Sequence, residues 1–231
     1  REVRPHGEAW EREGCTPRDV LRRMGALGLL GMRHPPAHGG GGLDARASVI
    51  LAEELGHSTF GGFNITVLVH TDMAGPHLAR YGSAAQQARY LPGVCSGERI
   101  TAIAVTEPDA GSDVAGLRTR AVRDGAGWVL NGAKTYITNG VLAELVFVAA
   151  RTNPDVKGSR GLSLFLVERG TPGFRVARRL EKMGWHSSDT AELVFEDCRL
   201  PADALLGEEN AGFYAIVNNF QNERLVMGAL A

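Results

Sequence analysis

Three stretches of this 231-residue chain carry residue types that chemistry uses, at spacings a fold can exploit. Residues 104–113 read A-V-T-E-P-D-A-G-S-D. They follow a β-type run, contain a Pro-Asp turn, and then offer Gly111 and Ser112, small residues that let backbone N–H groups approach an anion closely. The same letters suit an ordinary turn between two strands in which Asp113 caps a helical turn, and spacing alone does not choose between the two. Residues 134–140 read K-T-Y-I-T-N-G. Thr138 could offer a hydroxyl to a ligand and Tyr136 a ring to stack on, or both could be plain strand residues. The third stretch holds Glu223 and Arg224. At 100° per residue they lie roughly 60° and 40° to either side of Phe220, so both charges border an apolar helix face. A carboxylate there needs a partner, for which Arg224 is at hand, or a task.

Other candidates carry less. Gly39, Gly40, Gly41 and Gly42 lack the Lys and Ser or Thr that follow in a P-loop, so they read as a flexible connector. His34 and His38 flank two prolines with no Cys, Asp or Glu to complete a metal set, and are expected at the surface. Glu53 and Glu54 read as a solvated helix face.

The elements that must position these residues follow from periodicity. The first hundred residues read as helices. Thr16 as N-cap and Pro17 at the first helical position open one that carries Val20, Leu21, Met24, Leu27 and Leu29 until Gly28 and Gly31 stop it. Asp44 caps a second, residues 63–81 form a third apolar stretch, and a short amphipathic segment follows Ser83. From residue 100 the pattern changes to short β-rich runs at 101–105, 116–123, 128–138, 144–151, 162–168, 174–180 and 191–195. Residues 124–127 (D-G-A-G) read as a hairpin turn, and no helix of crossover length separates the strands, so the sheet is expected to be largely antiparallel. After Pro201 the helical period returns, with Phe213, Ile216, Val217, Phe220, Met227 and Leu230 on one face.

Composition excludes several classes of function. Lys plus Arg number 25 against 26 Asp plus Glu, a net charge of −1 with no basic block, which gives no electrostatic footprint for nucleic acid. The longest apolar runs, residues 65–69 and 145–150, fall far below the ~18 residues that span a bilayer. Cys15, Cys95 and Cys198 are far apart and form neither a C-x-x-C pair nor a metal cluster, which points to a reducing compartment. Lys134, Lys157 and Lys182 are the only lysines, an arginine bias more typical of a GC-rich coding sequence than of a chemical need. The chain opens at Arg1 without methionine and stops at Ala231 inside an apolar helical run, so both ends read as cut.

The T-E-P-D-A-G-S-D of residues 106–113, followed after twenty residues by K-T-Y-I-T-N-G, resembles the paired flavin-loop signature of acyl-CoA dehydrogenases. Residues 187–201, S-S-D-T-A-E-L-V-F-E-D-C-R-L-P, and residues 26–32, A-L-G-L-L-G-M, agree with it in order and spacing. The resemblance runs over essentially the whole chain. It implies an α+β fold: a helical N-terminal domain (1–99), an antiparallel β middle domain that faces a flavin (100–203), and the first helix (204–231) of a helical C-terminal domain whose remainder is not present.

It also implies a bound FAD. Ile103, Ala104, Val105, Thr106, Gly111 and Ser112 would line the cofactor, with Thr106 near the pyrimidine edge and Ser112 near both the FAD phosphate and the acyl-CoA. Tyr136, Ile137 and Thr138 would form a second flavin strand; many members carry Trp where this chain has Tyr136, and an aromatic face is kept. Glu223, within Q-N-E-R-L-V, is similar to the catalytic glutamate of the isovaleryl-CoA and long-chain branch, while other branches place the base further C-terminally. Phe220 and Arg224 beside it would contact substrate. The implied reaction is oxidation of an acyl-CoA thioester to the trans-2-enoyl-CoA, by removal of the α-proton and transfer of a hydride from the β-carbon to flavin N5. An electron-transferring flavoprotein and a homotetramer are the implied partners. The cytoplasm is the expected compartment, with the mitochondrial matrix as the alternative. Rival readings are an acyl-CoA oxidase or flavin monooxygenase on the same fold, or a truncated noncatalytic interaction module.

Overall fold

A computed structural model of the chain describes residues 2–156 and 158–231; Arg1 and Lys157 lie outside the described residues. The N-terminal part comprises α1 (Arg4–Glu13), α2 (Arg18–Ala26), α3 (Ala45–Gly56), α4 (Gly61–Leu68), α5 (Gly75–Tyr81) and α6 (Ala84–Ser96). A π-helical segment, Val69–Ala74, joins α4 to α5 without a break. Asp44 caps α3 by accepting from the Arg46 N–H at 2.9 Å, and Ser83 with Gln86 forms a reciprocal capping box on α6. Each satisfies amides that the helix itself leaves unpaired. Periodicity gives no sign of α1, because Gly7 and Trp10 are the residues it buries and two positions make no repeat.

Four local expectations are corrected. Thr16 does not cap α2; it is buried and donates to the Ser187 carbonyl at 3.0 Å, tying the helices to the loop before β7 (Thr190–Leu200). Leu27 is 75% exposed and lies off the packed face. Residues 39–42 are a built loop, since the Gly41 and Gly42 N–H groups donate to the Gly31 and His34 carbonyls at 2.9 and 3.0 Å. His34 is buried, not a surface residue, and burial lowers its pKa to about 4, leaving it neutral.

Helices α2 and α6 meet at Gly25, where an added Cβ would stand 2.1 Å from the Ser96 carbonyl oxygen. A backbone atom cannot swing aside as a side chain can. Gly25→Ala is therefore expected to force the two helices apart and destabilise the fold by about 1–3 kcal/mol, read as a lower melting temperature.

The strands β1 (Thr101–Ala104), β2 (Arg120–Asp124), β3 (Gly127–Thr138), β4 (Leu145–Arg151), β5 (Leu162–Glu168), β6 (Phe174–Arg179), β7 and β8 (Leu205–Leu206) form one eight-stranded sheet. Its order is β6-β7-β3-β2-β4-β5-β8, with β1 paired to β4 off that path. The β2–β3 hairpin turns at Asp124↔Gly127, and the pairs β3–β7, β4–β5, β5–β8 and β6–β7 are antiparallel as well. β1 and β4 are parallel: the intervening hairpin serves as the crossover, so no helix is needed between them.

β4 and β5 are apolar on both faces because each face has its own core. Val146, Val148, Ala150, Phe165 and Val167 pack against Trp128, Leu193 and Phe195 of the sheet. Leu145, Phe147, Ala149, Leu162, Leu164 and Leu166 pack against Leu78, Leu91, Val94 and Ile216 of the helices. This is why residues 145–150 read as a continuous apolar run. Helix α7 (Gly212–Leu230) lies along α3, the π-helical segment and β5. Ile216 and Val226 are fully buried in it, whereas Val217 is 37% exposed. Its packed face is not purely apolar, since Asn219, Asn222 and Glu223 interrupt it. Among the described residues no helix is long and apolar enough to cross a membrane.

Candidate active site

The first half of the site is the junction of the loop after β1 with the end of β3. The Thr135 N–H donates to the Thr106 carbonyl at 2.9 Å, so the two segments singled out by sequence lie side by side. A buried ion pair locks them. Lys134 Nζ donates to Glu107 Oε1 at 2.8 Å and to the Val105 carbonyl at 2.9 Å, with both side chains almost wholly out of solvent. Glu107 also accepts from the Arg118 and Thr119 N–H groups at 2.7 and 3.0 Å. Burial alone would raise the Glu107 pKa, but the Lys134 charge and these donors outweigh it and hold the carboxyl below its ordinary value. Lys134 is lowered by burial to about 8, against the pull of Glu107, and remains charged at neutral pH.

The end of β3 is fixed by two further side chains. Asn139 has φ +61° and its amide donates to the Thr66 and Thr101 carbonyls at 3.0 and 3.3 Å, joining α4 to β1. The Asp189 carboxylate accepts from the Val141 and Leu142 N–H groups at 2.6 and 3.2 Å. Sequence reasoning gave no role to Glu107, Lys134, Asn139 or Asp189. The available signal was charge within β-type runs, since a lysine whose strand face is covered needs a partner.

On this frame the expected ligand-facing residues divide by exposure. Gly111 and Ser112 are exposed, and an added Cβ on Gly111 would meet nothing within 4 Å. Thr106, Val105 and Thr138 are half-buried. Tyr136 is 70% exposed, at a bulge where three steps along β3 oppose two along β7, and its φ of +58° is one that a side chain rarely adopts. Bulges and left-handed non-glycine residues gather where a side chain must be re-aimed. Ala104 and Ile137, by contrast, are buried in the core of the sheet and Ile103 packs against the helix-facing core, so these three have mainly backbone to offer a ligand.

Helix α7 provides the second half. Glu223 is half-buried, and its one hydrogen bond among the described residues comes from Asn219 at 2.7 Å. Arg224 does not pair with it; its guanidinium lies 5.4 Å from the centre of the Phe220 ring. Burial raises the Glu223 pKa to about 7, with the nearby Asp72 charge adding to the rise and the Asn219 donor and Arg224 charge opposing it. Such a carboxylate is half ionised near neutrality, the condition under which a base is both available and strong. Among the described residues Glu223 makes no hydrogen bond to the β1–β3 junction; its tie runs through Asn219 to the π-helical segment.

Comparison with known proteins fits this arrangement. The family description "Acyl-CoA dehydrogenase, N-terminal domain" matches residues 1–98, and "Acyl-CoA dehydrogenase, middle domain" matches residues 102–198. The chain belongs to the acyl-CoA dehydrogenase family. It is 46% identical over its whole length to the mitochondrial long-chain specific acyl-CoA dehydrogenase of Mus musculus, of which it covers 53%. The crystal structure of acyl-CoA dehydrogenase from Geobacillus kaustophilus superposes with a TM-score of 0.94 at 45% identity, over 98% of this chain and 60% of that one. A glutaryl-CoA dehydrogenase from Mycobacterium smegmatis in complex with FADH2 gives 0.89 at 35% identity, over 99% and 57%. The chain thus spans about half the length of the curated relatives it matches.

The residues at the β1–β3 junction fit a flavin of the kind acyl-CoA dehydrogenases use. Thr106, Ser112 and Thr138 have hydroxyls without a hydrogen-bond partner among the described residues, Gly111 borders open space, and the Tyr136 ring is exposed. Free hydroxyls together with an exposed aromatic surface suit a ligand with polar edges and a flat body.

Proposed function

We propose that the protein containing this chain is an acyl-CoA dehydrogenase in the strict sense, oxidising an acyl-CoA thioester to the trans-2-enoyl-CoA. The observation that carries the reading is Glu223: a half-buried carboxylate with no ion pair among the described residues and a pKa raised to about 7. When bound, FAD would supply the hydride acceptor. Thr106, Ser112 and Thr138 would offer hydrogen bonds to its polar edges, and Tyr136 would flank the ring system. Glu223 would take the α-proton of the thioester, and Phe220 would give the acyl chain an apolar neighbour. Membership of the family and the glutaryl-CoA dehydrogenase relative crystallised with FADH2 support FAD as the cofactor. Arg224 as a substrate contact, an electron-transferring flavoprotein as acceptor, a homotetrameric assembly and a cytoplasmic location, with the mitochondrial matrix as the alternative, belong to the same proposal.

The test is anaerobic mixing of the FAD-loaded full-length protein with butyryl-, octanoyl-, palmitoyl- and isovaleryl-CoA. The flavin's visible absorbance is expected to bleach with at least one of them. The rate should rise with pH and level off above about 7, because only the ionised form of Glu223 accepts a proton. No bleaching with any of the four thioesters would overturn the reading.

A further inference from the structure

Asn219 stands one helical turn before Glu223, and its side-chain nitrogen faces three oxygens. These are Glu223 Oε1 at 2.7 Å, the Asp72 carbonyl at 2.9 Å and the Met73 carbonyl at 3.1 Å. Oxygens of these kinds accept, which puts the amide nitrogen, not its oxygen, on that side. Both carbonyls belong to the π-helical segment, so Asn219 ties helix α7 to that segment as well as to Glu223.

The Asp72 side chain makes this segment rigid. It is 1% exposed and accepts from Ser48 Oγ at 2.5 Å and Thr71 Oγ1 at 2.6 Å, with Asn222 Nδ2 at 3.4 Å and Arg33 at 3.6 Å beyond. Arg33 in turn donates to Asn222 Oδ1 at 2.6 Å. A buried network with its members satisfied holds its geometry, and whatever is tied to it inherits that geometry. Glu223 is tied at one oxygen. Oε1 accepts from Asn219, while Oε2 has no hydrogen bond among the described residues.

We infer that Asn219 is a positioning residue for Glu223: it anchors Oε1 to the π-helical segment, fixes the rotation of the carboxylate, and leaves Oε2 as the oxygen that takes the substrate proton. The inference rests on the proposed role of Glu223 as base. The charges that act on Glu223 are Asp72 from the π-helical segment and Arg224 from its own helix. Arg33 is engaged by Asp72, burial keeps His34 and His77 neutral at pH 7, and Glu53 and Glu54 of α3 are exposed. Asn219 donates to the ionised carboxylate, and Asp72 repels it. Loss of the amide and loss of the charge must therefore move its titration in opposite directions, which a purely structural role does not predict.

The measurement is the pH profile of anaerobic flavin reduction by the thioester that reduces the full-length holoprotein fastest, with melting temperature and FAD content on the same preparations. Asn219→Leu is expected to move the acid limb up by about one pH unit, so that the rate falls about tenfold at pH 7 and recovers in alkali. Asp72→Asn is expected to move the limb down. If Asn219→Leu does not fold, Asn219→Ser keeps a donor near the Asp72 and Met73 carbonyls but is too short to reach Glu223 as well, and should give the same upward shift. A limb that stays in place in the Asn219 variants, whatever their melting temperature, overturns the inference and leaves Asn219 as a structural partner of the Asp72 and Met73 carbonyls. Glu223→Gln separates the two claims: a normal rate in that variant overturns the base and the positioning role together. A collapsed rate there, with unmoved limbs in the Asn219 variants, overturns the positioning role alone.

Discussion

Glu223→Gln in the FAD-loaded full-length protein is expected to lower the rate of anaerobic flavin reduction by at least about two orders of magnitude, the usual contribution of a general base. Glutamine keeps the shape of the side chain and can still meet the Asn219 amide through its oxygen, so FAD content and acyl-CoA affinity should hardly change. The stability of the variant sharpens the test. A carboxyl whose pKa is about 7 in the folded state and ordinarily 4.5 binds more protons folded than unfolded between those values. Its contribution to stability therefore falls as pH rises from about 4.5 to about 7 and stays lower above that. Removing the charge should leave the variant at least as stable as the parent at pH 8. A Glu223–Arg224 ion pair with only a structural task predicts the reverse, a lower melting temperature with near-normal turnover per folded site. Unchanged reduction kinetics would send the search for the base elsewhere.

The largest effect on stability is expected at Lys134. Lys134→Met removes the cation and leaves the Glu107 carboxyl buried without its counter-charge. Losing one member of a buried pair typically costs about 3–5 kcal/mol. At about 2–4 °C per kcal/mol for a chain of this size, melting should fall by roughly 10 °C. The double variant Glu107→Gln/Lys134→Met buries no net charge and is expected to recover much of that loss. Because Lys134 also holds the Val105 carbonyl, both variants should lose FAD more readily on dialysis than the parent. Equal melting temperatures for parent and Lys134→Met would show that Glu107 is satisfied by the Arg118 and Thr119 amides alone.

Much of the architecture was legible because it is written in local patterns. The cap at Asp44, the D-G-A-G turn and the alternation from residue 100 onward each act over a few neighbours, where sequence and structure are nearly the same thing. The failures come from partners distant in the sequence. Thr16 has the right type to cap α2, but a buried carbonyl from residue 187 competes for its hydroxyl and wins. Val217 follows the apolar period, yet the helix turns Asn219 inward because the π-helical segment offers it partners, and Glu223 follows through its bond to Asn219.

The sequence by itself determined the family, the order of helical and β segments, and the two motifs that meet at the β1–β3 junction, since residue type and spacing suffice for these. Only the tertiary structure decided what the residues inside the motifs do. That Glu107 and Lys134 are a buried brace, that Tyr136 turns outward at a bulge beside the Ile137–Ala191 pair, and that Asn219 bridges Glu223 to the Asp72 carbonyl depend on pairs 27, 54 and 147 positions apart along the chain. Charge, burial and hydrogen-bond satisfaction are properties of what lies next to a side chain in space, and for a buried polar group the neighbour that matters is seldom the neighbour in sequence.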